Sequence, residues 1–64
     1  MIDVMAIKVG TRLKLQQGVV AEVTENMDDG QWLQVRYLES PARPAEVGQV
    51  ELCHAQDVIT VIDT

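Results

Sequence analysis

The sequence predicts an all-β protein, a small five-stranded antiparallel barrel with one 3₁₀ turn before the last strand. Apolar and polar residues alternate with a period of two in short segments, and no segment has the periodicity of a helix. Turn-forming residues separate these segments at Gly10, at Gly18, at residues 28–30 and at residues 41–48. We expect closure into a barrel because closure removes the unpaired edges of short strands.

The first three strands follow one another through tight turns. Residues 12–15 alternate cleanly and predict strand one, and the Gln17-Gly18 turn leads into strand two at residues 19–25. The Asp28-Asp29-Gly30 sequence is a hairpin signal, because glycine supplies the positive φ of a tight connection. Strand three, residues 31–38, therefore pairs antiparallel with strand two.

The last two strands follow a long loop. Residues 39–49 contain Pro41, Pro44 and Gly48 and are predicted to form that loop. Residues 50–53 alternate again as strand four, and residues 58–62, rich in β-branched side chains, form strand five. The segment between them is too short for an α-helix and predicts a single 3₁₀ turn, capped by a hydrogen bond between His54 and Asp57.

This order of strands and turns resembles the Src-homology-3-like small barrels, which include KOW and Tudor modules. The resemblance covers residues 8–62 and implies one domain over residues 1–64, with residues 1–7 as an N-terminal extension or edge strand. At the Gly18 hairpin the chain is similar to KOW modules, but Ala21 and Glu22 replace their second glycine and basic residues. The segments that carry the resemblance are Val9-Gly10-Thr11-Arg12-Leu13, Gly18-Val19-Val20-Ala21-Glu22-Val23, Trp32-Leu33-Gln34-Val35-Arg36-Tyr37 and Glu51-Leu52-Cys53-His54-Ala55-Gln56-Asp57-Val58.

The length of 64 residues makes the domain marginally stable by itself. Burial of apolar surface contributes about 90 kcal/mol, and ordering the chain costs about 95 kcal/mol. One cysteine and one histidine supply neither a disulfide within the chain nor a structural metal site, and we expect no cofactor. Association with a second copy or a protein partner is the remaining source of stability, so a homodimer is expected.

The charge disfavours nucleic acid as a partner. Ten acidic and five basic residues give a net charge of −5, which repels a phosphate backbone. A nucleic-acid-binding barrel is kept as the alternative function, and its contacts would be Lys8, Arg12, Lys14 and Arg36.

The amino end predicts neither a signal peptide nor a membrane segment. It is apolar but short, it carries Asp3 where a signal peptide has basic residues, and no run approaches 18 apolar residues. We expect a cytoplasmic protein in which Cys53 is a free thiol. Both Met1 and Met5 are compatible with the native start.

Strand three predicts the interaction surface. Alternation places Leu33, Val35 and Tyr37 on the core face. An outward tryptophan and leucine beside an arginine are typical of binding hot spots. The predicted interface is therefore Val20, Trp32, Arg36 and Leu38. In the alternative interpretation, Trp32 covers one end of the barrel or packs beneath the loop at residues 39–48.

The reactive side chains predict no catalytic or metal site. Cys53 and His54 are neighbours in a strand and point to opposite faces, so they cannot form a nucleophile and base pair. Trp32 and Tyr37 also face opposite ways, which excludes an aromatic cage within one chain. The acidic residues at the hairpin tip are interpreted as a solvated turn and not as a metal site: Glu25, Asp28 and Asp29.

The sequence thus favours a non-catalytic protein-interaction module that self-associates. A small oligomeric-barrel enzyme is the third alternative, because the plasmid-type dihydrofolate reductases use a similarly small barrel. Their pore strand reads Val-Gln-Ile-Tyr, and the strand here reads Val50-Glu51-Leu52-Cys53, without the glutamine and the tyrosine.

Overall fold

A computed structural model describes residues 6–63, which form one five-stranded antiparallel sheet with strand order β4-β3-β2-β1-β5. The predicted all-β class and the number of strands are confirmed. Within the described residues, no helix is long and apolar enough to cross a membrane. The strands are β1 (Arg12–Leu15), β2 (Val20–Asn26), β3 (Trp32–Glu39), β4 (Val50–His54) and β5 (Val58–Asp63).

The sheet does not close into the predicted barrel. Strands β4 and β5 stand at opposite ends of the strand order, and no backbone pairing joins them among the described residues. The chain passes from β4 to β5 through the predicted 3₁₀ turn, Ala55–Asp57. Because β5 then pairs along β1, the turn places it at the far edge of the sheet, and within residues 6–63 neither β4 nor β5 has a partner strand on its outer edge.

Side chains of the β2–β3 hairpin hold its own tip together. Asp28 and Gly30 have φ of 60° and 78°, in the left-handed region that a tight turn uses. One carboxylate oxygen of Asp29 accepts the backbone N–H groups of Gln31 at 2.8 Å and Trp32 at 2.9 Å. These two bonds lower the pKa of Asp29, because they favour the charged carboxylate.

The core lies on one face of the sheet and follows the predicted alternation in β1, β2 and β3. The surface area of 4155 Å² agrees with the roughly 4,100 Å² expected for a folded chain of this mass. Ile7 is buried in the core, and its carbonyl accepts a hydrogen bond from the Asn26 side chain at 2.9 Å. Residues 1–5, which include both candidate start positions, lie outside the described residues. The fully buried large side chains are Leu13, Leu33, Val23 and Val35.

Two further 3₁₀ turns that lie wholly within the described residues were not predicted. Gln16–Gly18 connects β1 to β2, and Pro44–Glu46 lies inside the long loop, where proline provides the φ that starts such a turn. The predicted bond between His54 and Asp57 was wrong. His54 does cap the last turn, but its Nδ1 accepts the backbone N–H of Gln56 at 3.1 Å, since that donor lies within reach at the start of the turn.

Candidate interaction face

The apolar side chains Val50 and Leu52 of β4 face away from the core, although the composition of the strand suggests that they are buried. Glu51 lies across from Val35 and Cys53 across from Leu33, and both partners belong to the core. Glu51 and Cys53 therefore face the core side, and the apolar residues between them face outward. Leu52 is 59% exposed and Val50 is 45% exposed.

Three cross-strand pairs form what we call the β3–β4 outer face. They are Trp32 opposite His54, Gln34 opposite Leu52 and Arg36 opposite Val50. The rings of Trp32 and His54 meet edge to face, with centroids 4.8 Å apart and planes at 87°. Trp32 nevertheless remains 39% exposed, so the face presents an exposed indole next to Leu52 and one arginine beside Val50.

The predicted interface residues fall into two places. Trp32 and Arg36 lie on the β3–β4 outer face. Val20 and Leu38 are half-buried and lie at the other end of β3, where Val20 opposes Glu39 and Leu38 sits in a register shift. Six residues of extended strand separate Leu38 from Trp32 by about 20 Å, so these residues do not form one compact patch.

Sequence reasoning missed the contribution of β4 to this face. The alternation of residues 50–53 places Val50 and Leu52 on one side, but it does not say that this side is the outer one. The signal that identifies the outer side is Cys53. Cysteine is usually buried, so its position in the alternation indicates that Val50 and Leu52 face away from the core.

Trp32 does not pack beneath the loop at residues 39–48. It is the first residue of β3, and that loop begins where β3 ends. Its described ring contact is with His54 of the neighbouring strand.

The basic residues alternate with acidic ones across the sheet. Arg12 opposes Glu22, and Glu22 opposes Arg36 on its other side. Lys14 opposes Val20, which in turn opposes Glu39. Carboxylates therefore lie between the basic side chains that were predicted to contact nucleic acid. Lys8 lies exposed before β1.

The thiol and imidazole at residues 53 and 54 lie on opposite faces, as predicted. The Cys53 thiol donates weakly to the backbone carbonyl of His54, with the sulfur 3.4 Å from the oxygen. Burial, with a smaller contribution from Asp57, raises the pKa of Cys53 to about 11, so the group is a neutral thiol near pH 7. No group of three potential metal ligands occurs among the described residues.

Comparison of the chain with protein-family models, with curated proteins and with solved structures found no match.

Proposed function

We propose that the protein is a non-catalytic interaction module that self-associates through the β3–β4 outer face. The observation that carries the proposal is the exposure of Trp32, Val50 and Leu52 together on one face of a sheet whose other face is the core. Tryptophan and arginine are the residues most enriched among binding hot spots, and Arg36 completes the set.

A second copy is the occupant that the size and charge of the chain favour. Burial and ordering nearly cancel in a 64-residue domain, so burying further apolar area in a homodimer adds stability where it is scarce. Homodimers usually have two-fold symmetry, in which the same patch serves both copies. The β3–β4 outer face suits such symmetry because Arg36 lies beside Glu22, which gives each copy a cation and a carboxylate to exchange.

The strand order supports the finer fold proposal of an SH3-like barrel relative, in which a β1 to β4 meander is followed by a strand returning to β1. The single 3₁₀ turn before β5 fits the same proposal. The proposed resemblance in fold does not include nucleic-acid binding, because the carboxylates of Glu22 and Glu39 lie among the basic residues.

Sedimentation velocity over a concentration series tests self-association with a matched pair of variants. Val50→Asp places a charge on the proposed face, and Val9→Asp places the same charge at a valine that is 67% exposed elsewhere. We expect a concentration-dependent dimer in the wild type and in Val9→Asp, and a monomer in Val50→Asp. A wild type that stays monomeric at millimolar concentration would refute the proposal.

A third variant distinguishes the face from the edge of β5 that no described strand pairs with. Ile59 and Ile62 are about half exposed on that edge strand, so edge pairing between two copies is the rival geometry. Ile59→Asp should leave the dimer intact. Dissociation by Ile59→Asp with retention in Val50→Asp would place the interface on β5 and exclude the β3–β4 outer face.

A further inference from the structure

We propose that His54 makes self-association dependent on pH, with a neutral imidazole in the dimer and a protonated imidazole that opposes dimer formation. The proposal rests on the proposed function, because it concerns the regulation of the same β3–β4 outer face. His54 is the single histidine of the sequence, and histidine is the side chain whose charge ordinarily changes between pH 5 and 8. Substitution of this one residue therefore tests the proposal.

The neutral form of His54 acts as a hydrogen-bond acceptor. Its Nδ1 accepts the backbone N–H of Gln56 at 3.1 Å and thereby caps the 3₁₀ turn Ala55–Asp57. An imidazole nitrogen accepts a hydrogen bond only through a free lone pair, so the proton of the neutral ring is on Nε2. Protonation converts Nδ1 into a donor. Two N–H groups then face each other, and the hydrogen bond that caps the turn is lost.

The same imidazole lies on the β3–β4 outer face. His54 opposes Trp32 across the two strands, and the centroids of the two rings are 4.8 Å apart. Leu52, two residues earlier in β4, points to the same side and is 59% exposed. A proton bound by His54 therefore places a positive charge beside the apolar side chains that the proposed dimer covers.

Charged groups surround His54 on the neighbouring elements. Backbone hydrogen bonds lower the pKa of Asp29 on the β2–β3 hairpin, and the charge of His54 contributes in the same direction. Asp57 lies in the turn that His54 caps, Arg36 lies further along β3 on the same face, and Glu51 of β4 faces the core side. The carboxylates of Asp29 and Asp57 favour a charged imidazole, so the free chain can take up the proton.

A dimer takes up that proton less readily than the free chain. A two-fold interface contains each residue twice, so it brings two imidazoles and two Arg36 side chains into one surface. Among the described residues, neither Asp29 nor Asp57 forms an ion pair with His54. Covering an unpaired charge with apolar surface is unfavourable, and like charges repel. By linkage, the dimer dissociation constant therefore rises as pH falls through the range in which His54 is protonated.

Sedimentation equilibrium at pH 7.5 and pH 5.5, at one ionic strength, measures this dependence. We expect the dimer dissociation constant of the wild type to be at least about tenfold higher at pH 5.5 than at pH 7.5, because the effect of both copies enters it. His54→Asn is the matched control, since an asparagine oxygen caps a turn in the same way and does not titrate. The dissociation constant of His54→Asn should be the same at both pH values.

NMR of the ¹⁵N-labelled chain tests the hydrogen bond itself. At pH 7.5 the imidazole of His54 should carry its proton on Nε2. On acidification the amide of Gln56 should shift with the same midpoint as the imidazole, and this shift should be absent in His54→Asn. A neutral ring with its proton on Nδ1, or a Gln56 amide that does not follow the imidazole, contradicts the proposed cap.

The outcomes distinguish this proposal from the proposed function. A wild-type dimer with the same dissociation constant at both pH values overturns the regulation by His54 and leaves self-association standing. A pH dependence that persists in His54→Asn also overturns it, because another group is then responsible. A wild type that is monomeric at millimolar concentration at both pH values overturns self-association and its regulation together.

Discussion

Truncation of Leu52 gives the sharpest test of the β3–β4 outer face, because this side chain contributes much to an interface and little to the monomer. It is 59% exposed, it opposes Gln34, and it points away from the core. In the free chain Leu52→Ala therefore removes less buried area than it removes in a dimer built on this face. In a dimer built on this face it removes apolar area that has become buried.

The magnitude follows from the exposed fraction. Full burial of a leucine side chain contributes about 1.5 to 3 kcal/mol, so burying the exposed 59% contributes about 0.7 to 1.3 kcal/mol per copy after allowance for the remaining alanine methyl. A two-fold interface contains the residue twice, which gives about 1.3 to 2.7 kcal/mol. The dimer dissociation constant of Leu52→Ala should therefore rise about 10-fold to 90-fold.

Sedimentation equilibrium at several loading concentrations measures that constant directly. Thermal unfolding of the monomer, at concentrations below the dimer dissociation constant, provides the control, because Leu52→Ala should lower its midpoint far less than Leu33→Ala, at a fully buried position, does. An unchanged dissociation constant would refute the face. A large fall in the monomer midpoint would refute the premise that Leu52 is outside the core.

Three further predictions concern the fold and its reactive groups. Because the folded pKa of Asp29 is lowered, its contribution to stability is complete above the ordinary value of 3.8 and is lost as pH falls through the folded pKa. In urea denaturation, Asp29→Ala should lower the midpoint at pH 7, and its midpoint should fall less between pH 7 and pH 3 than that of the wild type. An unchanged pH dependence would contradict this. With a pKa of about 11, Cys53 is a thiolate in only about one molecule per thousand at pH 8. Ellman's reagent should therefore react far more slowly with the thiol of the native chain than with that of the chain unfolded in urea. Equal rates would show that the thiol is not buried. Leu33→Ala creates a cavity at a fully buried position and should lower the free energy of unfolding, measured by chemical denaturation, by about 2 to 5 kcal/mol. That is a large part of the roughly 3 to 10 kcal/mol available to a chain of this length. A loss of stability no larger than that of Leu52→Ala would place Leu33 outside the core.

Local signals in the sequence were sufficient to predict most of the fold. Alternation located the five strands, the Asp28-Asp29-Gly30 corner located the central hairpin, and the short segment before β5 located its 3₁₀ turn. Closure of the sheet was not predictable in this way. Whether β4 meets β5 depends on where the turn at residues 55–57 directs the chain, and this is a property of the packed sheet rather than of any local pattern.

The candidate site was only half predictable for a related reason. Trp32 and Arg36 could be assigned to the outer face because β3 is a long interior strand and its two faces differ clearly in composition. An edge strand of five residues, β4, offers too few positions to decide between its faces. Val50 and Leu52 outnumber Cys53 as apolar residues, so composition alone favours burying them, and only the pairing with β3 shows the opposite.

The register of β4 is what makes its exposed apolar residues informative. A slip of one residue would turn Val50 and Leu52 inward and Glu51 outward. Hydrogen bonds at both ends of the strand prevent that slip: the carbonyl of Gln49 accepts from the N–H of Tyr37 at 3.0 Å, and the N–H of Ala55 donates to the carbonyl of Gln31 at 2.7 Å.

The chain therefore holds β4 in a register that leaves a leucine and a valine in solvent and a carboxylate on the core side. In a domain of marginal stability this arrangement forgoes apolar burial that a slipped strand would recover. In the proposed dimer, a second copy that covers Leu52, Val50 and Trp32 would restore that burial. The residues that weaken the free monomer would then be the ones that stabilise the dimer, so substitutions on this face should separate association from folding.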